Sequence, residues 1–337
     1  MHEIFIKITF IQGLEEIVLN ELKQYTQVKI ILSGKDTIYL EYSTTILPII
    51  LKLKSITRVF LVRKDTKLNP KYISKHKSLL GELIDIVITN DTFSTYSLSC
   101  AGKETEEVKE IINYLESHFH FEKEIQADLK IFIGKNKDTW ELGVEATKKP
   151  LSQRDYRQIN LEGALDPTVA YAINTFCSLN TIKNYLNIFS GSATLLIEAA
   201  MINSHVNYIG FDNDKKRTSA AIQNIKKANL IKTVQLKVLD IFDNPNLGTF
   251  DVIVSDLPFG MRISKKHDIR NLYTTFLNYC EHVLNRDGSL VVYTTEHETF
   301  LNILNQSKFA IKKEISLKII SSVNSYLYPK IYICTFK

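Results

Sequence analysis

A chain of 337 residues is too long for one ordinary core and suits two or three domains of roughly 100 to 200 residues each. Its 45% apolar and 23% charged residues exclude bulk disorder and a membrane protein, since stretches such as Ile46 to Leu53 fall well short of the roughly 18 to 20 residues that cross a bilayer. A net charge of +5 permits a nucleic-acid partner without demanding one. In chain order, the first 65 residues predict a strand near Ile4 to Phe10, a helix from Leu14 to Leu22, and strands near Val28 to Leu32 and Thr37 to Tyr42. A helix near Ile46 to Leu53 and a strand near Arg58 to Val62 follow. That βαββαβ order is the ferredoxin-like arrangement. Positive charge then gathers at Arg63, Lys64, Lys67, Lys71, Lys75 and Lys77, a candidate RNA-facing patch.

Residues 70–147 read as helix, strand (Phe93 to Cys100), helix, strand (Leu129 to Ile133) and strand (Thr139 to Glu145), with Val108, Ile111, Ile112 and Leu115 forming a core-facing helical stripe. Residues 148–180 read as a connecting segment rich in Arg and Lys, ending in a helix from about Thr168 to Phe176. From 181 to the end the pattern becomes strands alternating with longer helices, the signature of a parallel sheet covered on both faces. Strands are expected near 184–189, 207–211, 233–238, 250–255, 288–294, 309–317 and 330–336. The first five should be joined through helices. The last two, with a short loop between them, should form an antiparallel edge hairpin. Four scattered cysteines without C-x-x-C spacing read as reduced thiols, with no metal site. With no leader-like start at Met1 to Ile4, a cytoplasmic protein is expected.

Four strand ends carry candidate chemistry. The first runs into Phe189, Ser190, Gly191, Ser192, Ala193 and Thr194, small residues that let a ligand approach the backbone where open α/β sheets bind cofactors. The second ends at Asp212, about 20 residues after Gly191, where a carboxylate can accept two ribose hydroxyls. The third ends at Asp240, placed to receive an adenine amino group; helix capping is the plain alternative for both aspartates. Asn187, Asn213 and Ile241 flank these positions. Together they suit an adenosine-bearing cofactor.

The fourth strand ends in Asp256, Leu257, Pro258 and Phe259. An exocyclic amino nitrogen of a nucleobase is a poor nucleophile because its lone pair is delocalised into the ring. If the Asp256 carboxylate and the Leu257 carbonyl accept both amino hydrogens, the lone pair is directed at an electrophile by orientation and preorganised charge. Pro258 stiffens the turn, and Phe259 offers a face for an unstacked base.

With these residues the second half resembles the class I methyltransferases whose fourth strand bears a [D/N/S]-[P/L]-P-[Y/F/W] motif. The front half resembles a ferredoxin-like domain (1–65) followed by a THUMP RNA-binding domain (66–147). The supporting residues are Gly13 to Glu16, Trp140 to Val144, and Leu151 to Arg157, which is similar to the family's L-x-x-R-x-Y-R segment. The resemblance implies a Rossmann-like catalytic domain over 181–337, S-adenosyl-L-methionine as cofactor, no metal, and a monomer that forms N2-methylguanosine in tRNA near the acceptor stem. It also implies that Asp256 faces the cofactor as well as the base. Ribosomal RNA is the alternative substrate, and a catalytically idle RNA-binding relative a further one. Arg154 and Arg157, in the segment between the halves, join Lys71, Lys75 and Lys77 as expected phosphate contacts. Two positions depart from the pattern. Asn187 stands where the family usually has an acidic residue and Ala193 where it usually has glycine, so weaker cofactor binding is expected, with the alanine methyl crowding the methionine moiety.

Overall fold

The computed structural model describes residues 3–136, 138–258, 269–322 and 325–337. The chain forms two compact units, Met1–Phe10 with Val18–Ser152, and Ile11–Ile17 with Gln153–Lys337.

The first unit contains β1 (Ile4–Thr9), most of α1 (Glu15–Leu22), β2 (Ile30–Ser33), β3 (Thr37–Glu41), α2 (Leu47–Ile50) and β4 (Arg58–Asp65). A 3-10 turn at Pro70–His76 leads to α3 (Lys77–Ile88), β5 (Thr95–Ser99), α4 (Glu106–His118), β6 (Glu122–Lys123), β7 (Leu129–Asn136) and β8 (Thr139–Glu145). Period-2 alternation builds the strands: Ile6 and Ile8 are fully buried while Phe5, Lys7 and Thr9, which alternate with them, are half-buried. Antiparallel pairing of β1 with both β3 and β4 gives the order β2-β3-β1-β4 within the first 65 residues. The sheet does not stop at residue 65. β4 pairs with β8, from Phe60↔Glu145 to Asp65↔Trp140, so residues on both sides of the expected boundary share one eight-stranded sheet.

The second unit opens with α5 (Pro167–Asn174). It continues through β9 (Asn184–Ile188), α6 (Thr194–Ile202), β10 (Asn207–Asp212), α7 (Lys215–Lys227), β11 (Val234–Val238), β12 (Phe250–Asp256), α8 (Ile269–Val283), β13 (Leu284–Thr294), α9 (His297–Leu304), β14 (Phe309–Ser316), β15 (Ile319–Ser322), β16 (Ser325–Leu327) and β17 (Lys330–Phe336). Its sheet order is β11-β10-β9-β12-β13-β17-β14. β9 to β13 run parallel, and β17 is antiparallel to both neighbours. Val252, Ile253 and Val254 are buried in succession because helices cover both faces. The order reverses between β9 and β12, the switch point at which such sheets take ligands.

Three expectations are corrected here. β11 and β12 are joined by a 3-10 turn, Ile241–Asp243, in place of a helix. The β14–β17 connection is not short, since it carries the β15–β16 ribbon. Residues 148–180 are more than a connector. Asn224 exchanges hydrogen bonds with the Ile159 backbone, and Asn174 on α5 bridges the Leu195 carbonyl and the Tyr185 hydroxyl. Gly13 lies within this unit at φ +102°, and a Cβ there would sit 2.1 Å from the Ser316 carbonyl oxygen, so only glycine fits.

Candidate active site

A cavity of about 350 Å³ opens at the carboxyl edge of β9, β10, β11 and β12. The four strand ends supply most of its lining. After β9, Phe189 (φ 57°), Gly191 (φ 50°) and Ala193 (φ 59°) all take left-handed backbone conformations, which coil residues 189–193 into a tight loop before α6. Gly210 permits close packing beneath it, since a Cβ there would lie 2.5 Å from both Leu196 Cδ1 and Ser190 Oγ. The Ser190 hydroxyl bonds the Asn187 carbonyl at 2.9 Å, and the Ser192 and Thr194 hydroxyls meet at 2.8 Å.

Asp212 ties this loop to the next strand. Its Oδ2 accepts the Gly191 amide at 2.8 Å and its Oδ1 the Asp214 amide at 3.0 Å. Asp214 in turn caps α7 by accepting from the Lys216 and Arg217 amides. Asp240 accepts from the Phe242 amide and from Asn213 Nδ2, each at 3.0 Å. Capping and cavity lining are thus combined in one carboxylate. Ile241 and Phe242 add apolar surface beside it.

Opposite stand Asp256, Leu257 and Pro258. The Leu257 amide donates to the Tyr293 carbonyl at 2.9 Å, and the Tyr273 hydroxyl donates to the Pro258 carbonyl at 3.0 Å. Burial pushes the Tyr273 phenol well above its ordinary range; the Thr294 hydrogen bond works against this, and the Glu296 and Asp256 charges add to it. Phe259 lies outside the described residues.

The cavity therefore brings together Phe189, Ser190, Gly191, Ser192, Thr194, Asp212, Asn213, Asp240, Ile241, Asp256, Leu257 and Pro258. Two expected members are absent from its walls. Asn187 is 1% exposed and points inward, donating to the Val254 and Ile188 carbonyls, with its Oδ1 lacking a partner among the described residues. Ala193 is fully buried, so its methyl packs into the core and not into the cavity.

The expected RNA contacts also divide. Lys71, Lys75 and Lys77 are exposed on the Pro70–His76 turn and the start of α3. Arg154 is turned inward. Its Nε donates to Glu198 at 3.1 Å, beside the Tyr156 hydroxyl at 2.7 Å, and only 7% of its side chain is exposed. Arg157 is half-buried, with its Nε enclosed. Gly163, Ala164, Leu165, Arg217, Leu239 and Leu272 line the cavity without having been singled out in the sequence. The signal for the first three was the Asp166-Pro167-Thr168 helix start, in which Asp166 accepts the Thr168 amide. Among the described residues no helix is long and apolar enough to cross a membrane, and no three His, Cys, Asp or Glu side chains gather as a metal site.

The RMKL-like methyltransferase domain matches residues 154–322, half the chain. The chain belongs to that family. The family match spans every wall of the cavity just described. A U6 snRNA (guanine-N(2))-methyltransferase, THUMPD2, from Bos taurus is 29% identical over 66% of this chain and 45% of its own length. A tRNA (guanine(6)-N2)-methyltransferase from Methanocaldococcus jannaschii is 22% identical over 52% of this chain and 56% of its own. The chain thus spans about half the length of the curated relatives it matches. Thermus thermophilus TrmN superposes with a TM-score of 0.76 at 17% identity, over 99% of this chain and 100% of that one, which establishes a common fold.

Proposed function

We propose that the chain is an S-adenosyl-L-methionine-dependent methyltransferase forming N2-methylguanosine in tRNA, in the acceptor-stem region. One observation carries this reading: Asp256, Leu257 and Pro258 line the same cavity as Gly191, Asp212 and Asp240, at the switch point of the sheet. The donor set fits the cofactor. Asp212 offers carboxylate oxygens for ribose hydroxyls and Asp240 for an adenine amino group. Leu165, Leu239, Ile241 and Phe242 supply apolar walls. When bound, the cofactor supplies an electrophilic methyl on a sulfonium.

The chain's own residues orient the acceptor. The Asp256 carboxylate and the Leu257 carbonyl take the two hydrogens of the guanine N2, turning its lone pair towards the methyl donor. Asp256 then receives the released proton, directly or through water. No covalent enzyme intermediate is needed. The first unit grips the RNA, with a ferredoxin-like part over 1–65 and a THUMP part over 66–147, and the exposed Lys71, Lys75 and Lys77 meet phosphates.

The relative named for U6 snRNA favours a second reading, in which the guanosine lies in another structured RNA. Incubating the purified chain with methyl-labelled cofactor and separate pools of tRNA, U6 snRNA and rRNA, followed by nucleoside mass spectrometry, decides between them. N2-methylguanosine confined to tRNA is expected. Label confined to another pool or another nucleoside overturns the assignment.

A further inference from the structure

Pro258 is the last described residue of the loop after β12, and both of its backbone rotations are constrained. Its ring fixes φ, while its carbonyl, which reports ψ, accepts the Tyr273 hydroxyl of α8 at 3.0 Å. Tyr273 is fully buried and does not line the cavity. Its oxygen lies 3.2 Å from Thr294 Oγ1, at the end of β13, and Thr294 Oγ1 lies 3.0 Å from the Glu296 amide nitrogen.

The direction of this chain is forced. An amide N–H only donates and a carbonyl only accepts. Glu296 therefore donates to Thr294, Thr294 to Tyr273, and Tyr273 to Pro258. With all three hydrogen bonds aligned, each polarises the next. The raised Tyr273 phenol keeps its proton across the working range, so the donor is present at any ordinary pH. On the other side of the loop, the Leu257 amide is held by the Tyr293 carbonyl, and Asp256 pairs in register with Tyr293.

We propose that Tyr273, oriented by Thr294, is a positioning residue that sets the Pro258 peptide and thereby the aim of Asp256 and the Leu257 carbonyl at the acceptor amino group. The proposal rests on the methyltransferase reading above. It acts through geometry, and misplacement of reacting groups by about 1 Å can lower a rate about a hundredfold.

The test is steady-state and single-turnover methylation by the full chain, with cofactor affinity measured separately by calorimetry. Tyr273→Phe removes only the hydroxyl. We expect kcat to fall by about 10- to 100-fold, while the RNA KM and the cofactor Kd stay within about twofold. Thr294→Val, which leaves the Tyr273–Pro258 bond but not its polarising donor, should lower kcat less, and Thr294→Ser should restore it. An unchanged kcat in Tyr273→Phe overturns the proposal. So does a loss spread equally over kcat, RNA KM and cofactor Kd, which marks a general structural role. If Tyr273→Phe does not fold, the Thr294→Val and Thr294→Ser pair carries the same decision. Wild type labelling a different amino group overturns the guanosine assignment and leaves the kcat ratio to judge Tyr273. Wild type labelling no nucleic acid overturns both.

Discussion

The two sheets treat their polar groups in opposite ways. In the eight-stranded sheet, Glu141 is 2% exposed and is held by Lys7, Lys64, the Tyr39 hydroxyl and Asn136, while the fully buried Glu145 is held by Arg58 and Lys130. These carboxylates are consumed by folding. In the seven-stranded sheet, Asp212, Asp240 and Asp256 each end a strand or follow one and face a cavity, because five parallel strands deliver their carboxyl ends to a single edge. The paired carboxylates hold a fold together, and the strand-end carboxylates line a cavity.

The largest effect expected from that contrast is on chemistry. Asp256→Ala should lower methyl transfer by about 10²- to 10³-fold, the scale of losing a preorganised charged acceptor, with cofactor affinity little changed. Activity close to wild type would remove Asp256 from its role. Glu198 tests the opposite class inside the same unit. Glu198→Ala leaves the Arg154 guanidinium buried without this carboxylate and should destabilise the chain by about 3 to 5 kcal/mol, seen as a lowered Tm. A shift below about 1 kcal/mol would mean that Arg154 can swing out to solvent and reach a phosphate there. Asp212→Ala should have a smaller effect than either, weakening cofactor binding by about 1.5 to 3 kcal/mol through loss of charge-assisted hydrogen bonds. Unaltered binding by calorimetry would make Asp212 a loop brace for Gly191 and nothing more.

The same contrast explains what was legible in the sequence. Strand ends are marked by a switch from apolar run to turn residue, so Gly191, Asp212, Asp240 and Asp256 could be read in order. Side-chain direction is not marked. Whether Arg154 faces a phosphate or Glu198 depends on where α6 packs, and nothing in Leu151 to Arg157 tells one from the other. Gly163 to Leu165 were missed because they reach the cavity from a segment that reads as a connector. In the front half the element order was legible, but the β4–β8 pairing that joins residues 58–65 to 140–145 is long-range and left no local trace.

Lysines outside both classes give a smaller effect. Reversing charge at Lys71, Lys75 and Lys77 should reduce the log–log salt dependence of tRNA binding by about 0.7 to 0.9 for each phosphate that is no longer neutralised, with cofactor affinity constant. A slope equal to wild type would mean that these exposed lysines are a solvated surface and that the RNA follows another path.

The smallest effect is expected at Ala193, where two opposing contributions nearly cancel. Its left-handed backbone, φ 59°, costs a residue with a Cβ about 1 kcal/mol relative to glycine. Its methyl is fully buried, and removing it forfeits about 0.8 kcal/mol of apolar burial. Ala193→Gly should therefore change stability by no more than about 0.5 kcal/mol, and calorimetric affinity for S-adenosyl-L-methionine should stay within about twofold because the methyl does not line the cavity. A tenfold gain in affinity would show that the alanine crowds the cofactor after all. It would also mean that residues 189–193 shift on binding, bringing a residue now in the core to the wall of the site.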